Sequence, residues 1–201
     1  MRVALLLSGG IDSTAVAVLE RPPLAITIDY GQITARSEIE AAAAVCGFLQ
    51  IEHLVLCAPA RFLTRGLLAG ERGSGSDGEE FWPFRNQLLA TLAAQAMFER
   101  GFTRLLFGTV LSDRGRFRDG SPEFFSSLGS LFALQEGGIE VHAPALQLSE
   151  SELIRKSGIT RQLLGITFSC HRGCTPCGDC PGCRKQATLS DLLEAWSLDS
   201  A

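Results

Sequence analysis

Ser8-Gly9-Gly10-Ile11-Asp12-Ser13-Thr14 lies between an apolar run over residues 3–7 and a stretch over 12–20 whose apolar residues recur at helical spacing. A glycine-rich turn from strand to helix lets the backbone approach an anion closely, and the helix start aims free N–H groups at it. The hydroxyls of Ser8, Ser13 and Thr14 add donors, and Asp12 adds one acid. This is not a Walker A loop, because the G-x-x-x-x-G-K-[ST] spacing and its lysine are absent, and it is not G-x-G-x-x-G. A plain glycine-rich turn with an aspartate cap is the alternative. The position of the whole string between strand and helix favours a phosphate loop.

Outward from the loop, short apolar runs alternate with helical stretches, the pattern of a parallel sheet covered on both faces. Residues 3–7, 24–28, 51–56 and 104–107 read as strands, with 139–142 a fifth. Residues 12–20, 35–47 and 84–100 read as helices, with Gly47 and Gly101 placed for C-caps. Ser149-x-x-Glu152 is a capping-box pattern. The polar, glycine-rich stretch 70–80 reads as a mobile loop within one sheet. The spacing therefore predicts an α/β domain with a parallel sheet over 1–165, followed by a cysteine-rich segment and helix over 166–201.

The chain has 201 residues, a net charge of −4 and 46% apolar residues, enough for one sizeable core. It has no basic stripe of the kind that grips a nucleic acid. Its N-terminal MRVALLLSGG has too short an apolar core for a signal peptide or a membrane span, so it reads as the buried first strand of a cytoplasmic protein.

Five of the seven cysteines crowd into residues 170–183, CHRGCTPCGDCPGC, a local cluster that reads as a metal site and not a disulfide framework. Two-residue gaps turn successive thiolates toward one point. Five thiols exceed the four of tetrahedral zinc, and the repeated C-x₂-C also fits an iron–sulfur centre. Structural Zn²⁺ is the preferred reading, folding a Gly/Pro-rich segment that has little core of its own. Cys46 and Cys57 read as small core residues, and His53 and His142 as structural.

The loop resembles the S-G-G-x-D-S PP-loop of the ATP pyrophosphatase superfamily, whose members adenylate a substrate oxygen and release pyrophosphate. A PP-loop followed by this cysteine tail resembles QueC, the 7-cyano-7-deazaguanine synthase family, over nearly the whole chain. Asp29-Tyr30-Gly31-Gln32 looks like that family's Y-G-Q segment, and Pro83-Phe84-Arg85-Asn86 like its P-x-R-N. Gly108 and Asp113 match the turn after the fourth strand, residues 119–124 (DGSPEF) resemble P-D-C-R-P-E-F, and residues 143–146 stand where the family has T-P-L.

The resemblance implies that Ser8, Gly9, Gly10, Asp12, Ser13, Thr14, Asp29 and Gly108 bind the nucleotide. Asp12, Ser13, Arg85 and Asp119 would serve catalysis, and Cys170, Cys177, Cys180 and Cys183 would hold zinc, leaving Cys174 over. It also implies ATP with Mg²⁺, a deazapurine acid as substrate and a homodimer. The departures are losses of cations. Ile33-Thr34 replace R-H after Y-G-Q, Glu150 stands where a lysine is expected, and Ser121 where an arginine is expected. The remaining basic candidates are Arg85, Arg114, Arg116, Arg118 and Arg172; His171, beside the cysteines, reads as structural like the other two histidines. Such losses suggest an acceptor other than ammonia, such as the amine of a partner protein in a defence system. A tRNA-modifying PP-loop enzyme is the other alternative, disfavoured by the missing basic surface.

Overall fold

Five short runs form one parallel sheet: β1 (Val3–Leu6), β2 (Leu24–Asp29), β3 (Glu52–Cys57), β4 (Arg104–Leu106) and β5 (Glu140–His142). Each lies within a residue or so of the run expected from the sequence. The strand order is β3-β2-β1-β4-β5, with Ala4 opposite Leu24 on one side of β1 and Val3 opposite Arg104 on the other. The computed structural model describes residues 2–60, 68, 82–115 and 117–199. The glycine-rich stretch 70–80 and Arg116 lie outside the described residues.

Among the described residues, seven α-helices accompany the strands: α1 (Ile11–Glu20), α2 (Ala35–Leu49), α3 (Arg85–Glu99), α4 (Pro122–Ala133), α5 (Glu150–Ser157), α6 (Arg161–Gly165) and α7 (Pro181–Asp199). Strand alternation divides the core in two. Ala4, Leu24 and Ile26 pack with Ala90, Ala93 and Met97 of α3 and Phe125, Leu128 and Phe132 of α4. Leu5, Leu7 and Ala25 pack with Ala15 and Val16 of α1, Ala42 and Val45 of α2, and Leu153 and Ile154 of α5. Leu163 and Leu164 of α6 and Leu189 of α7 join this second cluster, so the C-terminal helix shares the core of the sheet domain.

The helix ends follow local chemistry. At α5, Ser149 Oγ accepts the Glu152 N–H and Glu152 Oε2 accepts the Ser149 N–H, completing the predicted box. Gly101, at φ +69°, follows α3 as expected. Gly47 does not end α2. The helix continues to Leu49, which packs against the core, and Gln50 takes the left-handed cap at φ 58°. Cys46 is buried as expected, but Cys57 is exposed, because it is the last residue of β3 at the sheet's edge.

Candidate active site

The chain runs outward from β1 through β2 to β3, then returns to the other side of β1 for β4 and β5. The strand order therefore reverses between β1 and β4, and the carboxyl ends of strands at such a reversal leave a crevice for ligands. A cavity of about 540 Å³ opens there, lined by Ser8 and residues 10–13 after β1, Phe107–Thr109 after β4, the start of α3, and Phe168–His171.

The loop after β1 is braced by its own hydroxyls. Ser13 Oγ accepts the Ser8 N–H at 3.3 Å and donates to the Gly10 carbonyl at 3.1 Å, while Ser8 Oγ accepts the Gly10 N–H at 3.2 Å. Gly9 has φ +77°, and a Cβ there would stand 2.7 Å from the Glu38 carbonyl and 2.8 Å from the Ala42 amide. The loop is thus pressed onto α2. From the other side Gly108 presses on it, since a Cβ at 108 would lie 2.6 Å from Ser13 Cα. Glycine at both positions is a packing requirement.

Asp12, in the first turn of α1, meets Lys185 of α7 at 2.5 Å, and Lys185 Nζ also lies 3.3 Å from Glu150 Oε1. Burial pushes the Asp12 carboxyl up to about 6 although Lys185 pulls it down, and nearby Asp113 and Glu150 push it further up. Burial opposes the charge on Lys185, but the three carboxylates outweigh it and raise its pKa. Asp12 Oδ1 is buried and has no hydrogen-bond partner among the described residues. An orphaned carboxylate oxygen beside two further acids suits a hard divalent cation.

Across the cavity, Arg85 opens α3 and interacts with Tyr30, Asp119 and Glu38. Glu38 accepts hydrogen bonds from Gln32 Nε2 at 2.9 Å and from Thr34 Oγ1, and burial raises its pKa. Burial also pushes the Tyr30 phenol well above its ordinary value. Asp119 is absent from the cavity wall. Its Oδ2 accepts the Asn86 N–H at 3.3 Å and its carbonyl accepts from Asn86 Nδ2 at 2.8 Å, so it fastens the start of α3 and with it Arg85.

The Sγ atoms of Cys170, Cys177, Cys180 and Cys183 lie within 4.8 Å of one another. Tetrahedral zinc with Zn–S bonds near 2.3 Å needs sulfurs about 3.8 Å apart, and Cys177 and Cys183 are 3.9 Å apart. Backbone N–H groups of His171, Arg172, Cys180 and Cys183 point at cluster sulfurs at 3.3–3.4 Å. Burial raises the pKa of the Cys183 thiol, while backbone N–H groups bring that of the Cys177 thiol down to about 6. The four sulfurs fit zinc. Cys174 stands apart, exposed, with its thiol toward the Ile33 carbonyl.

This segment is joined to the phosphate loop. The Phe168 N–H donates to the Gly9 carbonyl at 2.9 Å, and Ser37 of α2 donates to the Cys174 carbonyl at 2.9 Å. Gly182 has no room for a side chain, because a Cβ would overlap the Ser169 carbonyl.

Of the residues expected to serve the site, Ser8, Gly10, Asp12, Ser13, Arg85 and Gly108 line the cavity. Gly9, Thr14, Asp29 and Asp119 do not. Thr14 is fully buried, and Asp29 Oδ1 accepts the Gly31 N–H at 2.9 Å, shaping the turn after β2. Among the expected cations, Arg85 alone of the described residues reaches the cavity; Arg114 bonds Gln147 and Arg172 pairs with Asp179. Lys185 and Glu38 were missed. Neither belongs to a motif, and Lys185 meets Asp12 across 173 residues of sequence.

The family described as queuosine biosynthesis protein QueC matches residues 2–190. A 7-cyano-7-deazaguanine synthase of Methanosarcina barkeri is 27% identical, covering 93% of this chain and 92% of that protein. One of Desulforudis audaxviator is 31% identical, covering 92% and 94%. One of Novosphingobium aromaticivorans is 32% identical, covering 89% and 85%.

Proposed function

The chain belongs to the QueC family, and from that membership together with the site we propose that it is an ATP-dependent, C–N bond-forming ligase of the 7-cyano-7-deazaguanine synthase type. The observation that carries the reading is the braced Ser8–Ser13 loop at the sheet's switch point, facing Arg85 across the cavity. A loop of N–H donors, with no Walker lysine of its own, suits departing pyrophosphate.

The substrate carboxylate, 7-carboxy-7-deazaguanine, attacks the α-phosphorus of ATP. The bond from that phosphorus to the β-phosphate oxygen breaks, and pyrophosphate leaves toward the loop. Ammonia then adds to the acyl carbon, loses a proton and expels AMP, leaving the amide. A second ATP adenylates the amide oxygen; loss of AMP and of the nitrogen's protons gives the nitrile. None of this needs a protein nucleophile. The chain aligns reactants and neutralises charge. Gly10, Ser8 and the start of α1 receive the phosphates, and Arg85, held by Asp119 through Asn86, faces the acid. Mg²⁺ at Asp12 would screen charge on the phosphates when bound. Cys170, Cys177, Cys180 and Cys183 would hold zinc, which would fix the segment behind the loop.

The reading places the protein in the cytoplasm and extends to a homodimer, which a solution mass measurement tests. The acid is to be incubated with ATP, Mg²⁺ and ammonium, and the products weighed by mass spectrometry. The nitrile should form with AMP and pyrophosphate. ADP and phosphate as products, or an unchanged acid, would overturn the proposal.

A further inference from the structure

Lys185 is held in place from both sides. Cys183, two residues before it, belongs to the four-sulfur cluster, and the Arg184 N–H bonds the Cys180 carbonyl at 3.0 Å. Gln186, one residue after it, donates to the Thr167 carbonyl at 3.1 Å and to Thr167 Oγ1 at 3.2 Å. Phe168, next along the chain, bonds the Gly9 carbonyl. The lysine is therefore fixed relative to the phosphate loop, with its ammonium against Asp12 and Glu150 on the cavity wall.

Three carboxylates, Asp12, Asp113 and Glu150, face the same space. A triphosphate arriving there meets like charge, and beside the loop Lys185 is the only lysine or arginine on the described wall; Arg85 comes from the start of α3. An ammonium with three donors on a flexible stem can keep one carboxylate and turn another donor to a phosphate oxygen.

Resting on the ATP reading above, we propose that Lys185 is a further catalytic residue: its ammonium moves from Asp12 and Glu150 onto the triphosphate oxygens and neutralises charge as pyrophosphate leaves. The segment that binds the metal thus supplies the cation of the phosphate site. Because Glu150 Oε1 is 3.3 Å from Nζ, a lysine placed at 150 reaches the same point from α5.

The test is isothermal titration of the zinc-loaded full chain with Mg²⁺ and α,β-methylene-ATP, whose reacting bond cannot be cleaved. Zinc content and melting temperature are measured on every variant. Lys185→Met should weaken binding about ten- to a hundredfold, the scale of a hydrogen bond to a charged group. Adding Glu150→Lys, which restores a lysine to the same space, should recover affinity to within about threefold, whereas adding Glu150→Gln should not. This pair keeps the test open if Lys185→Met alone folds poorly. Affinity of Lys185→Met within about twofold of wild type would overturn the proposal. Equal rescue by Glu150→Gln would also overturn it, showing that the lysine only neutralises buried acids. Wild-type protein that fails to bind the analogue would remove the ATP reading itself. Wild-type protein that binds it in a Lys185-dependent way, yet leaves the deazapurine acid unchanged, would sink the substrate reading and leave Lys185 in its role.

Discussion

Gly108→Ala tests the packing on which the phosphate loop depends. The added Cβ would lie 2.6 Å from Ser13 Cα, 2.8 Å from its amide nitrogen and 2.9 Å from its Cβ. Carbon atoms in contact settle at about 3.5–4.0 Å, so the turn after β4 and the first turn of α1 must separate by roughly 1 Å. No flexible side-chain end can absorb the clash, because the atoms met include backbone. Overpacking of this kind costs about 1–3 kcal/mol, which lowers the melting temperature by roughly 2–12 °C in a chain of this length. The larger effect falls on function. Ser13 Oγ ties the Ser8 N–H to the Gly10 carbonyl, so displacing it opens the loop. A misplacement of about 1 Å can cost on the order of a hundredfold in rate. Pyrophosphate release assayed beside thermal melts should show a loss of kcat/KM of that order. A variant with wild-type kcat/KM and an unchanged melting temperature would show that Gly108 does not hold the loop.

Cys180→Ser should abolish zinc binding and, through the Phe168–Gly9 hydrogen bond, weaken nucleotide affinity, while Cys174→Ser should keep full zinc content; iron and sulfide in an anaerobic preparation would instead identify a cluster. Asp12→Asn should end ATP cleavage yet stabilise the fold above pH 6. The Asp12 carboxyl rises from 3.8 to about 6 on folding, so its favourable contribution is complete below about 4 and is lost as the pH rises through 6. The expected gain is at most about 3 kcal/mol at pH 7.5, closing to nothing below pH 4 in paired melts, and an equal or lower melting temperature at pH 7.5 would contradict it. Arg85→Lys should raise KM for the deazapurine acid about tenfold with little change for ATP, because one charged hydrogen bond is lost across the cavity from the loop. A rise in KM for ATP alone would place Arg85 on the nucleotide.

What the sequence determined by itself is what depends on neighbours in the chain. Strand and helix periods, the Ser8–Thr14 string and the Ser149–Glu152 box are local patterns, and each appears in the fold where the spacing puts it. The close spacing of Cys177, Cys180 and Cys183 likewise brings their sulfurs together, and Cys170 completes the set. Local pattern misled where packing decides: Gly47 looked like a helix end, but Leu49 finds core beyond it, and Cys57 lies exposed in β3 at the sheet's edge. Only the tertiary structure separated Asp119, which fastens the start of α3, from Asp12 and Arg85 on the cavity wall. Only the tertiary structure, too, carried Lys185 to Asp12. The sheet's reversal and the return of α7 onto the second core bring together residues 173 apart in sequence, and such a juxtaposition leaves no periodicity along the chain.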